Sequence, residues 1–379
     1  MIVRKILLGF AVLVILAALG FAGWVFTLPS PAAPRAAPEI AQAEVEANLA
    51  ALKPPKRQRP VIAVIGVNEG TETTDYLMPY GIFRRADVAD VVAVAMKPGL
   101  VTLYPALKVQ PQATAAEFDA QYPDGADYVI VPAMYRDDDP YLLDWLRSQA
   151  GKGATVIGVC AGAKVVGAAG LLDDKRGTTH WYYLDGLRKL SPSMTYVADR
   201  RLVVDGKVAT TTGISASMPM ALTVIEAIAG REKADMVARD LGLAGWNIRH
   251  DSSAFTFTRP FAVTALGNTA AFWNRETHAI ELKEGMDEVS LALVADAWSR
   301  TYRSRAVTVA ESTRPLRSLN GLDIVPDRAG MTDDIAQTLP AIGDAPPAQE
   351  LDEALAGIGK RYGGATADFV AMQLEYPKR

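Results

Sequence analysis

Four short, uninterrupted apolar runs limit the fold of this chain more than any other feature: Val61–Val67, Val91–Ala95, Tyr128–Pro132 and Thr155–Val159. A strand wetted on one face alternates apolar and polar residues, whereas a continuous run is buried on both faces and implies a parallel sheet covered by helices. Helical patterns over Asp75–Ala86, Pro140–Ala150 and Ala161–Gly170 alternate with these runs, and shorter strand segments lie near Val101–Leu103 and Leu107–Val109. That alternation predicts a doubly wound, mostly parallel, flavodoxin-like α/β domain. Two short strands split by Asp199–Arg200 and Asp205–Gly206, then a helix over Ala216–Ala229, complete it by Gly242.

The chain has 379 residues, enough for about two such units. With 39 Lys+Arg against 43 Asp+Glu, the net charge is −4, so nothing in the charge balance favours nucleic acid as a partner. There is one cysteine, Cys160, which excludes an intrachain disulfide, a Cys-rich zinc site and an iron–sulfur cluster. No P-loop or dinucleotide fingerprint occurs, so no cofactor is expected. His250 and His278 lack metal-ligand spacing, so no metal is expected either.

At the amino terminus, Ile6 to Phe26 carries no charge. About 21 residues at 1.5 Å rise cross a hydrocarbon core of about 30 Å, which predicts a transmembrane anchor. A cleaved signal peptide is the alternative; its apolar region is usually shorter, but Ala17, Ala18, Gly20 and Gly23 offer processing sites. Arg4 and Lys5 precede the run and the next basic residue is Arg35, so the N-terminus is expected in the cytoplasm and the body in the periplasm, with the protein in an inner membrane. The expected organisation is an anchor over 1–27, a Pro/Ala-rich tether over 28–59, a first α/β domain over 60–242 and a smaller α/β module over 243–379. Lys56, Arg57 and Arg59 in the tether read either as a contact to anionic lipid or as a solvated linker.

The segment Ala154–Lys164 carries the chemistry. An apolar strand runs into Cys160, and Ala161, Gly162 and Ala163 follow at once as a helix begins, so the thiol is placed on a sharp strand-to-helix turn, the geometry of a nucleophile elbow. A helix N-terminus lowers a thiol pKa, and the carboxyl edge of an open α/β sheet is where ligands bind. The amides of Ala161 and Gly162 are candidate oxyanion donors. A buried cysteine closing a core strand has the same local pattern.

With Cys160-Ala161-Gly162-Ala163 stand Ala168-Ala169-Gly170-Leu171-Leu172-Asp173, Thr178-Thr179-His180-Trp181 and the Thr210–Ala216 turn, T-T-T-G-I-S-A. This set resembles the ThiJ/PfpI family of the class I glutamine amidotransferase-like superfamily, most of all the sensory half of AraC-type regulators. The resemblance implies that Cys160 is reactive, that His180 lies at the site, and that Gly213 lines the pocket. It further implies an acid four residues before a Pro, which selects Asp75 ahead of Pro79 and Phe83-Arg84-Arg85-Ala86; Glu69 and Glu72 are rival acids on the same loop. A carboxyl group there reaches a thiol on the same sheet edge, and His180 is either an acid–base group near neutral pH or a structural histidine. The family also commonly forms dimers, so a homodimer is expected. Ser217-Met218-Pro219 departs from the regulator pattern, and no His-x-Glu pair supports glutaminase activity.

No basic pair of helix-turn-helix units follows Gly242. Instead, an offset of 215 positions carries Glu69-Gly70 to Glu284-Gly285, Val94-Ala95 to Val309-Ala310, and Leu107 and Pro111 to Leu322 and Pro326. A second echo pairs Ala234-Asp235-Met236-Val237-Ala238 with Ala367-Asp368-Phe369-Val370-Ala371. The tail therefore reads as an abbreviated repeat without an elbow and with Ser290 opposite Asp75, although α/β sequences also produce such similarity by chance. Two functions fit: a cysteine-dependent hydrolase, hydratase or glyoxalase-like lyase acting on a small electrophile, or a non-enzymatic ligand-binding or stress-sensing module.

Overall fold

The computed structural model describes residues 9, 12, 16, 19–33, 35–343 and 345–377. Much of the expected span Ile6–Phe26 lies outside the described residues. Residues 19–27 are helical, and no helix among the described residues is long and apolar enough to cross a membrane.

The stretch over 28–59 is not a free tether. Arg35 pairs with Asp199 and Asp251, and helix α1 (Gln42–Ala51) lies on the first domain with Glu44 bound by Arg200 at 2.7 Å. The basic cluster is also engaged: Arg57 pairs with the fully buried Asp127 at 2.6 Å, Arg59 with Asp87 and Asp90, and Lys56 with the carbonyl of Asp124. Each charge has a protein partner, so lipid is not needed to satisfy it.

The first domain is built on β1 (Val61–Gly66), β2 (Glu69–Glu72), α2 (Thr73–Ala86), β3 (Asp90–Ala95), β4 (Val101–Tyr104), β5 (Lys108–Gln110), β6 (Ala113–Thr114), α3 (Ala115–Gln121), β7 (Tyr128–Val131), α4 (Pro140–Gly151), β8 (Thr155–Gly158) and α5 (Gly162–Ala168). It continues through β9 (Arg176–Gly177), α6 (Leu184–Leu190), β10 (Thr195–Tyr196), β11 (Leu202–Asp205), β12 (Val208–Thr211), α7 (Ser217–Ala229) and α8 (Arg231–Asp240). Seven strands form one sheet in the order β11-β12-β8-β7-β1-β3-β6, parallel throughout except for the β11–β12 hairpin. β1, β7 and β8 are buried along their whole lengths, as uninterrupted apolar runs require. One core cluster fills each side of the sheet. This is the flavodoxin-like α/β architecture, and the loops that follow β1, β7, β8 and β12 open on its carboxyl edge.

A further α/β region follows: α9 (Arg259–Ala270), β13 (Glu276–Glu281), α10 (Glu288–Ser299), β14 (Ser304–Ala310), β15 (Leu316–Arg317), β16 (Asp323–Ile324), β17 (Arg328–Ala329), β18 (Ile335–Thr338), α11 (Pro347–Tyr362) and α12 (Gly364–Gln373). Its four parallel strands are ordered β17-β14-β13-β18. The two regions share a third sheet, β15-β16-β5-β4-β2, in which β16 pairs antiparallel with β5. Helices α2 and α10 pack on each other, so the face of α2 turned away from its own sheet is buried.

Candidate functional site

Cys160 follows β8 with a φ of 55°, the left-handed conformation that a strand-to-helix elbow imposes and that non-glycine residues seldom adopt. Both of its backbone polar groups are tied: its N–H donates to Thr211 Oγ1 at 3.0 Å, and its carbonyl accepts from Thr179 Oγ1 at 2.9 Å. These threonines, from the T-T-H and T-T-T-G segments, hold the strained residue in place. Their positions beside the recognised residues were the only sequence signal for that role. Small neighbours are obligatory, because a Cβ on Gly162 would stand 1.9 Å from the carbonyl oxygen of Val131.

The expected anion cradle is reduced to one donor. The N–H of Gly162 donates to Val159 O at 2.7 Å and so is committed to the turn, whereas the N–H of Ala161 acts on the Cys160 sulfur. The thiol pKa is raised well above its ordinary value, not lowered: burial is the main cause, with Asp75, Glu72 and Glu375 adding negative potential, and the Ala161 amide opposes them too weakly. A seven-residue helix whose first amides serve the turn gives little compensation.

Asp75 sits in the first turn of α2, fully buried. Its Oδ2 accepts from Ala133 N at 3.1 Å, while Oδ1 is buried with no hydrogen-bond partner. Burial, reinforced by Glu72, pushes its pKa well above the carboxylate range, which favours the protonated form. Of the rival acids, Glu69 is exposed. Glu72 caps α2, accepting at Oε2 from Asp75 N at 2.6 Å and Thr74 Oγ1 at 2.8 Å, while its Oε1 accepts from Arg300 Nη2 at 2.7 Å.

His180 lines the same cavity, but both ring nitrogens are occupied. Nδ1 accepts from Tyr182 N at 3.2 Å, which leaves Nε2–H to donate to Gln373 O at 3.0 Å. Burial lowers its pKa, so the neutral tautomer persists. The structure therefore brings His180 near Cys160 without a hydrogen bond between them. Gly213 does not line the cavity. Its N–H donates to Glu375 Oε2 at 2.8 Å, and a Cβ there would meet Glu375 Cγ at 2.7 Å.

Cys160 and Ala161 border a cavity of about 370 Å³. Glu72 and Arg300 lie at one side, and Tyr104, Tyr135 and Tyr183 give it an aromatic wall. Phe257, Phe261, Tyr302 and Phe369, all beyond the first domain, line it as well. At the rim Lys164 pairs with Asp137. Reading the first domain alone missed Arg300, Glu375 and these rings, because nothing near them in sequence refers to Cys160.

Residues 61–227 match the profile of the DJ-1/PfpI family. Isonitrile hydratase of Pseudomonas putida is 41% identical over 108 residues, which is 28% of this chain and 46% of that protein. The HTH-type transcriptional regulator CdhR of Pseudomonas aeruginosa is 30% identical over 125 residues, covering 33% of this chain and 37% of the regulator. The chain thus spans less than half the length of either relative. The crystal structure of Drosophila melanogaster DJ-1beta aligns with a TM-score of 0.45 and 25% identity, covering 49% of this chain and all of that one. Residues 61–227 of this chain are a DJ-1/PfpI domain.

Proposed function

We propose that the protein is a cysteine-dependent hydratase or hydrolase of small electrophiles bearing an apolar group, with isonitriles as the first candidates. The carrying observation is Cys160 on its left-handed turn at a ring-lined cavity, with Asp75 buried close enough to act on the thiol and one of its carboxyl oxygens unpartnered. The similarity to isonitrile hydratase supports the choice of substrate class.

With both groups protonated at rest, the chemistry starts from a thiol. As Sγ bonds to the terminal carbon of R–NC, Asp75 gives that carbon a proton and recovers one from the thiol, so S–H adds across the carbon to form a thioimidate. Water then adds to the C=N carbon and the C–S bond breaks. The products are the N-formyl amine and free Cys160, and one water is consumed. The Ala161 amide faces the sulfur, and His180, fixed by its two hydrogen bonds, shapes the pocket and moves no proton. The apolar rings suit the R group and exclude bulk water.

The elevated thiol pKa favours a second reading, a non-enzymatic site that binds or senses a ligand. Hydration of a panel of isonitriles, glyoxals and esters separates the two. Turnover abolished by Cys160→Ser supports the enzyme, and saturable binding without turnover supports the sensor.

Membrane attachment belongs to the same proposal, with the body outside the cytoplasm. Besides the uncharged run 6–26, α9 and the turn after it expose Val263, Leu266, Phe272 and Trp273, and no charged residue lies between Arg259 and Arg275. Arg259 donates to the carbonyls of Val25 and Phe26, which joins this patch to the exposed Trp24 and Phe26. Aromatic and aliphatic side chains flanked by arginines suit a bilayer interface.

A further inference from the structure

We propose that residues 276–375 are a shortened second copy of the first domain, folded back on it about an approximate twofold axis, and that this internal partner completes the Cys160 site through Arg300.

The offset of 215 positions that carries Glu69 to Glu284 also carries β1 (Val61–Gly66) onto β13 (Glu276–Glu281) and β6 (Ala113–Thr114) onto β17 (Arg328–Ala329) with no adjustment of either end. The pairing Val94↔Ala113 is repeated as Val309↔Arg328, and Val101↔Val109 as Leu316↔Ile324. Further along, an offset of 133 carries α8 (Arg231–Asp240) onto α12 (Gly364–Gln373). The glycines before these two helices have matching backbones, φ 87° and ψ 165° at Gly230, φ 91° and ψ 155° at Gly363. Between the two stretches the second copy is much shorter than the first, and the segment that holds the elbow has no equivalent in it.

Shared ancestry alone would give two similar units; it would not dictate how they touch. The contacts between them obey the same offsets. Val109 of β5 pairs with Ile324 of β16, its own counterpart, in the antiparallel sense that a twofold axis demands. Arg300 pairs with Glu72, and their counterparts Arg85 and Asp287 pair with each other. Ser215 N donates to Leu374 O at 3.0 Å, and Ala348 N donates to Leu241 O at 3.0 Å, again as counterparts. A symmetric interface repeats every contact in this way.

Symmetry fails where the chemistry is. Asp75 is answered by Ser290, buried with an unpartnered hydroxyl, and Cys160 has no counterpart. Arg85–Asp287 therefore only fastens the halves together. Arg300–Glu72 does that too, and also neutralises the carboxylate that caps the helix carrying Asp75, so Arg300 is a positioning residue for the site. Because α10 already covers α2, the chain needs no second copy at that face.

The test uses the full chain and thiol alkylation by iodoacetamide, so it does not depend on which substrate is turned over. Arg300→Met and Arg85→Met are each expected to lower the melting temperature. Only Arg300→Met should displace the pH profile of Cys160 alkylation upward, with at least a threefold slower rate at pH 8, and Arg300→Lys should restore much of it. Arg85→Met should stay within twofold of wild type. If Arg300→Met does not fold, Arg300→Gln against Arg85→Gln gives the same comparison. In detergent the protein component is expected to have the mass of one chain, and mixing Cys160→Ala with Arg300→Met should leave alkylation at the Arg300→Met rate. Equal effects of the two arginines, no effect of either, or a faster rate on mixing would overturn the proposal.

Discussion

Glu375 accepts the Gly213 N–H at 2.8 Å and the Trp181 N–H at 2.7 Å, so a side chain from the end of the chain is inserted into two turns of the first domain. Glu375 is itself buried and holds a φ of 48° to make this reach. Replacing it by Ala leaves two amides unpaired, and we expect a loss of about 2–5 kcal/mol in urea unfolding. Glu375→Gln keeps an acceptor and should lose less. Equal stability of Glu375→Ala and wild type would contradict the pairing.

Gly162→Ala tests the elbow's packing. The added methyl would lie 1.9 Å from the Val131 carbonyl oxygen, a backbone atom that cannot swing aside. The strand end must shift, and a cost of about 3 kcal/mol or more is expected. The same substitution at Gly151, where a Cβ meets nothing within 4 Å, should leave stability nearly unchanged.

Asp75 gives a pH dependence with a definite sign. Its folded pKa is raised by burial and Glu72, so the fold prefers the protonated form. That contribution is complete below the unfolded value of about 3.9 and is lost as pH rises through the folded value. Asp75→Asn is neutral throughout and should flatten the decline in melting temperature on the alkaline side. Parallel wild-type and variant curves would count against a protonated Asp75.

Cys160 should be a slow nucleophile toward reagents in solution. With its thiol raised by burial and surrounding carboxyl groups, alkylation at pH 7 is expected at least tenfold slower than for a free cysteine of pKa about 8.5. Rapid alkylation at neutral pH would show that the thiolate is already formed at rest.

The exposed rings after α9 should report on lipid. In vesicles containing brominated acyl chains, Trp273→Phe should reduce the quenched fraction of tryptophan emission, whereas Trp145→Phe, on the buried face of α4, should not. Quenching that is identical in the two variants would place the α9 patch away from the bilayer.

Much of the first domain was legible because its signals are local. Continuous apolar runs became β1, β7 and β8, and the strand that ends in Cys160 followed by small residues became the elbow. The helix carrying Asp75 was expected over Asp75–Ala86 and spans Thr73–Ala86, with Pro79 inside it at the cost of the ladder bond to the Asp75 carbonyl. The contacts of residues 28–59 were not legible, because a Pro/Ala composition says nothing about Arg35, Glu44 or Arg57, each of which finds a partner far along the chain.

What the sequence determined by itself was the parallel α/β domain and the strained turn under its one thiol, since burial pattern and steric demand are properties of neighbouring residues. The tertiary structure alone decided the direction of the pKa shifts and which side chains of the second half line the pocket. A pKa depends on what surrounds a group in space, and Arg300 and Glu375 reach Asp75 and Cys160 only after the second half has folded back across α2.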